Sequence, residues 1–143
     1  MKTSARNQYR GSVVNIRRGA VNDEVEVFLD GGGTRITSVI TNTSSRTLGL
    51  EPGKSVVVLI KAPWVILVLD PEGVKFSAGN DLPGTVISVK GGAVNTEVNI
   101  RLDGGEPLTA IITESSAKNM GLKAGDRVLS LVKASNVILG VEQ

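Results

Sequence analysis

The sequence predicts an all-β protein of two tandem OB-like five-stranded β-barrels, each with one short helix. Three observations predict it. Val and Ile dominate short segments that alternate at strand period, and helical periodicity is scarce. Gly, Pro and Asp punctuate those segments at turn positions. The 143-residue chain also repeats itself: Gly19-Ala20-Val21-Asn22 returns as Gly92-Ala93-Val94-Asn95, and Leu29-Asp30-Gly31-Gly32 as Leu102-Asp103-Gly104-Gly105, both 73 residues further on. Beyond that turn one residue is dropped. Ile40-Thr41, Ser44, Gly49-Leu50, Lys61-Ala62 and Val65-Ile66-Leu67 then match Ile112-Thr113, Ser116, Gly121-Leu122, Lys133-Ala134 and Val137-Ile138-Leu139. Two domains follow, 1–70 and 74–143, joined by the polar stretch Asp70-Pro71-Glu72-Gly73.

The elements of one repeat read in order. Ser12–Ile16 is a first strand. Glu24–Leu29 alternates Val25, Val27 and Leu29 with Glu24, Glu26 and Phe28, giving one buried and one mostly wet face. Asp30-Gly31-Gly32-Gly33 supplies the positive φ of a hairpin, and Arg35–Thr41 returns. Thr43–Leu48 is the one helical segment, stopped by Gly49 and started by Thr and Ser as N-cap types; 116–120 before Gly121 repeats it. Glu51-Pro52-Gly53-Lys54 fits a type II turn, with Pro at i+1 and Gly at i+2. Val56–Lys61 and Val65–Leu69 close the unit as a pair around Ala62-Pro63-Trp64. So small a unit has few large side chains to bury, which predicts self-association to supply apolar contact.

Composition excludes much. With no Cys and no His, the chain has no disulfide, no thiolate nucleophile, no His-based triad and none of the usual Zn, Cu or haem ligand sets. No carboxylate cluster suggests a cage for a hard cation, and nothing resembles a nucleophile elbow, so no enzyme is expected. Four aromatic residues, Tyr9, Phe28, Trp64 and Phe76, are too few for base stacking, and a net charge of +2 is too small to grip a polyanion. An OB-type nucleic-acid-binding module is therefore the weaker alternative. No apolar run is long enough to span a bilayer, and the polar start Met1–Asn7 is not a signal peptide, which predicts a cytoplasmic protein without membrane contact. Gly49–Ser55 is one residue short of a P-loop, and copy two has Gly125-Asp126-Arg127 there.

What recurs is a set of donors. Thr41 and Ser44, with their twins Thr113 and Ser116, stand where the short helix starts, near exposed backbone N–H groups and the positive dipole end. Helix capping alone would also explain them. Lys61-Ala62 and Lys133-Ala134 end an apolar strand. Ser4-Ala5-Arg6-Asn7 is echoed by Ser77-Ala78-Gly79-Asn80, with the Arg missing. A leader outside the barrel has no folding reason to repeat, so the echo points to a role. Gly19, Ala20, Val21 and Asn22, with Gly92, Ala93, Val94 and Asn95, are small residues that either present backbone N–H groups at a tight turn or simply bend a hairpin. Hydroxyls, amides and one or two cations, free of carboxylates, suit a tetrahedral dianion.

The leader Ser4–Gln8, the turn at 19–22, Ile40-Thr41…Ser44…Leu48-Gly49-Leu50 and Val58–Val65, each in order and twice, resemble the molbindins, small proteins built from Mop or TOBE-like domains. The resemblance covers essentially the whole chain and implies a di-domain member. It implies a barrel per repeat, a homotrimer, and molybdate or tungstate held between subunits as a ligand rather than a cofactor, for molybdenum storage and homeostasis. Carried over by motif, the molybdate-binding residues would be Ser4, Ala5, Arg6, Asn7, Lys61 and Ala62 with Thr41 and Ser44 from a neighbour. The matching set in the second repeat is Ser77, Ala78, Asn80, Thr113, Ser116, Lys133 and Ala134. A second site class would use Gly19–Asn22 and Gly92–Asn95. Gly79 in place of Arg predicts unequal sites.

Overall fold

The computed structural model describes residues 1–142. Ten strands and two short helices run in the order β1 (Asn7–Arg18), β2 (Asn22–Leu29), β3 (Arg35–Thr41), α1 (Asn42–Thr47), β4 (Ser55–Ile60), β5 (Ile66–Leu69), then β6 (Gly79–Gly91), β7 (Asn95–Leu102), β8 (Pro107–Thr113), α2 (Glu114–Met120), β9 (Arg127–Lys133) and β10 (Ile138–Gly140). Single 3-10 turns at Ala62–Trp64 and Ala134–Asn136 link the last two strands of each repeat. The two-barrel, mostly β expectation holds.

The first strand is longer than expected because two neighbours share it. The front of β1 pairs with β4 (Asn7 opposite Ile60) and its rear with β2 (Arg18 opposite Asp23). A register shift between Val13 and Asn15 bends it from one pairing to the other, as the shift between Val86 and Ser88 bends β6. The leaders therefore run into strands, the first at Asn7 and the second at Gly79, with Ser4–Arg6 and Ser77-Ala78 just ahead of them.

Turn chemistry follows the sequence. Gly53 has φ 94°, and the Lys54 N–H donates to the Glu51 carbonyl at 3.0 Å, as a type II turn requires. Each helix is capped one residue before its first turn: Thr41 Oγ1 accepts from the Ser44 N–H and Thr113 Oγ1 from the Ser116 N–H, both at 3.1 Å.

One expectation fails. β4 and β5 do not pair. The sheets run β10-β4-β1-β2-β3 and β5-β9-β6-β7-β8, so each repeat's fifth strand completes the sheet of the other. Ile138 lies opposite Leu59, and Ile66 opposite Leu131. The cause is local. Lys61 and Val65 flank the 3-10 turn in extended conformation, and no residue from 61 to 65 has the positive φ that a tight hairpin needs. The chain is carried across to the neighbouring repeat instead of doubling back. The sequence boundary at 70–74 consequently separates the two repeats along the chain but not the two sheets in space. One continuous core, with Val27, Val58, Ile60, Val98, Leu108 and Val132 all buried, joins both repeats.

Candidate functional site

The exchange creates two related clefts, each between the β3-type strand and helix of one repeat and the last turn and strand of the other. The first, about 610 Å³, is lined by Asn22, Thr41 and Ser44 on one side and by Ser135, Val137 and Ile138 on the other. The second, about 450 Å³, sets Asn95, Thr113 and Ser116 against Pro63, Val65 and Ile66. Ser38 Oγ, donating to the Val137 carbonyl at 2.8 Å, fixes one wall of the first cleft to the other.

The hydroxyl pairs sit at equivalent places in both. Thr41 Oγ1 donates to Ser44 Oγ at 3.0 Å, and Thr113 Oγ1 to Ser116 Oγ at 2.8 Å. Lys133-Ala134 runs directly into Ser135 of the first cleft, and Lys61-Ala62 into Pro63 of the second. Both lysines are exposed. The Lys61 ammonium lies 5.3 Å from the centre of the Trp64 ring, an arrangement that has no twin, because Asn136 stands in place of Trp64. The leader of each repeat adjoins its own lysine: Gly79 lies opposite Lys133, and the Ala134 N–H donates to the Ala78 carbonyl at 2.9 Å. Thr41 and Ser44 of one repeat thus share a cleft with the segment that follows the lysine and leader of the other, within a single chain.

Some expected donors are committed elsewhere. Asn7 is buried, and its amide pairs with both backbone groups of Thr109, at 2.8 Å each. Asn80 does the same to Thr37 at 2.7 and 2.8 Å and also donates to the Val132 carbonyl at 3.1 Å. These two residues clamp the repeats together, so the echoed leader does have a folding reason, and neither amide is free for a ligand. Asn80→Ala should leave the Thr37 N–H and carbonyl without their amide partner at a part-buried contact between the repeats. The expected cost is about 2–4 kcal/mol of stability, measured by urea unfolding.

In the first leader, Ser4 is exposed, while the Ala5 N–H is taken by Thr3 Oγ1 at 2.9 Å. The Arg6 guanidinium reaches across to the Glu97 carboxylate of repeat two. That donor, together with Asn99, holds the Glu97 carboxyl below the usual range. In the second leader, Ser77 is exposed. Gly79 differs from Arg6 by more than a lost side chain: its φ is 98°, and an added Cβ would lie 3.0 Å from that of Ala134. The turns at 19–22 and 92–95 leave Val21 and Val94 exposed at their tips. Their glycine N–H groups are already used, by Asp23 Oδ1 at 3.3 Å and by the Asn95 carbonyl at 2.9 Å. Asn22 and Asn95, by contrast, line the clefts.

Sequence reasoning missed the carboxylates. Asp23, 2 % exposed, accepts from Asn42 at 2.6 Å and from Arg18 at 3.1 Å beside α1. Although burial opposes it, hydrogen bonds from Ser45, Asn42 and Gly19 hold the Asp23 carboxyl below its ordinary range. In the second repeat Glu114 stands in the first turn of α2, where Asn42 stands in α1, and accepts from Thr96. The carboxylate thus changes sides between the repeats, from β2 in the first to the helix in the second. Among the described residues no cluster of three or more acidic side chains is placed to hold a metal ion, and no helix is long and apolar enough to cross a membrane.

Comparison with known proteins gives this geometry a family. The TOBE domain family model matches residues 3–67 and 77–139. The Molybdenum-pterin-binding protein MopA of Rhodobacter capsulatus is 43% identical over 141 residues, covering 99% of this chain and 53% of its own length. The Molybdenum transport protein ModE of Azotobacter vinelandii is 42% identical over 141 residues, covering 99% and 52%. The chain spans about half the length of these curated relatives. The crystal structure of the cytoplasmic molybdate-binding protein ModG with molybdate bound superimposes with a TM-score of 0.94 at 47% identity, covering 99% of this chain and all of that one. Sharing two TOBE units in tandem and a ModG-like fold along its whole length, the chain belongs to the TOBE domain family as a di-domain molbindin.

Proposed function

We propose that the protein binds molybdate or tungstate in the two inter-repeat clefts, as a passive cytoplasmic store that buffers the oxyanion without chemistry. The observation that carries the reading is the recurrence, at both clefts, of a Thr-Ser hydroxyl pair from one repeat facing the segment that follows the strand-end lysine of the other. Ser4, Ser77, Ala62, Ala134, Lys61 and Lys133 complete the donor set, with Arg6 available once it leaves Glu97. A tetrahedral dianion would exchange its water shell for hydroxyl, amide and ammonium donors. Cavity size would favour molybdate over the smaller sulfate.

The clefts are open, and the residues around them support closure by further copies in a homotrimer. Ile138 at the first cleft and Ile66 at the second are 48% and 59% exposed, and the hairpin tips Val21 and Val94 are 71% and 74% exposed. These pairs are equivalent in the two repeats, so a neighbouring subunit would meet the same apolar surface twice. The nucleic-acid reading lacks support: Tyr9 donates to the Pro107 carbonyl and Trp64 is covered by Lys61.

Titration calorimetry with molybdate, tungstate, sulfate and phosphate tests the proposal. Saturable heat with the first two and none with phosphate is expected; a flat molybdate trace would end it. Sedimentation of the same samples reports whether several copies assemble.

A further inference from the structure

Some contacts between the repeats occur twice, as the Asn7 and Asn80 clamps and the exchanged strands do. Those at the hairpins joining β2 to β3 and β7 to β8 do not. Thr34 and Glu106 hold equivalent positions, each offering its carbonyl to the strand before it (Leu29 N–H and Leu102 N–H, both 2.9 Å). They also face each other. The Glu106 carboxylate accepts from the Thr34 N–H at 2.9 Å and from the Thr34 hydroxyl, and the residue is only 3% exposed. The backbones around them touch: a Cβ at Gly32 would lie 1.9 Å from the Gly104 carbonyl oxygen, and one at Gly104 would lie 2.5 Å from Thr34 Oγ1. Glycine at both places is what allows the approach. Among the described residues no Lys or Arg pairs with Glu106.

We propose that Glu106 and Thr34 form a recognition pair that makes the repeat–repeat face accept only a repeat of the opposite kind. Pairing two second repeats would bring Glu106 against Glu106, two carboxylates in one dry contact with no donor between them. Pairing two first repeats would leave Thr34 without its acceptor. The Arg6–Glu97 ion pair works the same way, because Gly79 offers nothing to Glu24, the twin of Glu97. The selection matters because the exchanged strands β5 and β10 would otherwise fit either repeat of any chain. Like-with-like pairing would have to run between chains, closing pairs of chains or continuing into longer strings in place of the self-contained chain. The pair directs each repeat to its unlike partner, here the other half of the same chain.

Full-length Thr34→Glu, Glu106→Thr and the swapped double variant test this, each unfolded in denaturant and refolded over a range of protein concentration. Unfolding midpoints and native masses are the readouts. Thr34→Glu should lower the folding constant at least about tenfold by opposing two buried carboxylates. Thr34→Glu/Glu106→Thr should return to within about threefold of wild type, since the pair is merely reversed across the axis. Glu106→Thr should refold into larger species that grow with concentration, while wild type keeps one discrete mass. A double variant no more stable than Thr34→Glu, or Glu106→Thr refolding to the wild-type mass at every concentration, overturns the proposal. If Glu106→Thr fails to refold, the double variant alone decides.

Discussion

A chain ended at Asn136 should lose most of its stability, and the damage should appear first in the repeat that was not cut. The missing segment supplies Val137, 2 % exposed, and Leu139, 8 % exposed, to the shared core, and it supplies the carbonyl that Ser38 Oγ needs. Burial of two such side chains contributes roughly 3–6 kcal/mol, out of about 5–15 kcal/mol for a whole domain. The loss also strips β10 from β4, leaving the Leu59, Val58 and Val57 edge of repeat one unpaired. Thermal unfolding followed by circular dichroism should show a much lowered midpoint. Hydrogen exchange should show lost protection in Ser55–Ile60, while Arg127–Lys133, covered by β5, keeps more of its own. Loss confined to β9 would mean that the strands pair within each repeat in solution.

The same exchange marks where the sequence stops being readable. Strand identity, the Gly53 turn and the Thr caps were legible because each rests on a few consecutive residues. So was the doubling itself. Which copy of the last strand fills which sheet was not, because duplication makes Val65–Leu67 and Val137–Leu139 equal candidates for both places. Only the 3-10 turns, without a positive φ, hint that the chain crosses over. Thr41, Ser44, Thr113 and Ser116 stood out in sequence, and the structure brings them to clefts walled on the far side by the segments that follow Lys133 and Lys61. Asn7 and Asn80 stood out because they recur, and the structure gives their side-chain amides a clamping role that the sequence did not show. Glu97 and Glu106 were invisible as partners, since the contacts with Arg6 and Thr34 cross the repeat boundary.

Lys61→Ala should weaken molybdate binding roughly ten- to 150-fold at the sites that use it, corresponding to about 1.5–3 kcal/mol for a hydrogen bond to a charged group. The lysine is poised rather than fixed. It is exposed at the end of β4, and its ammonium rests over the Trp64 ring, a contact worth about 0.5–1 kcal/mol at an exposed site. Exchanging that contact for a dianion is favourable, so the ring costs the site little. Trp64 is the chain's single tryptophan, and its emission should respond both to the substitution and to ligand arrival in the unmodified protein. Lys133→Ala is the matched comparison: it removes the equivalent ammonium where Asn136 replaces the ring and Gly79 replaces Arg6. Its sites should weaken as well, with no change in tryptophan emission before ligand is added. Calorimetry that finds both variants unchanged would remove the lysines from the site and leave the Thr-Ser pairs as helix caps alone. Weakening of one and not the other would tell which of the two unequal clefts holds the ion.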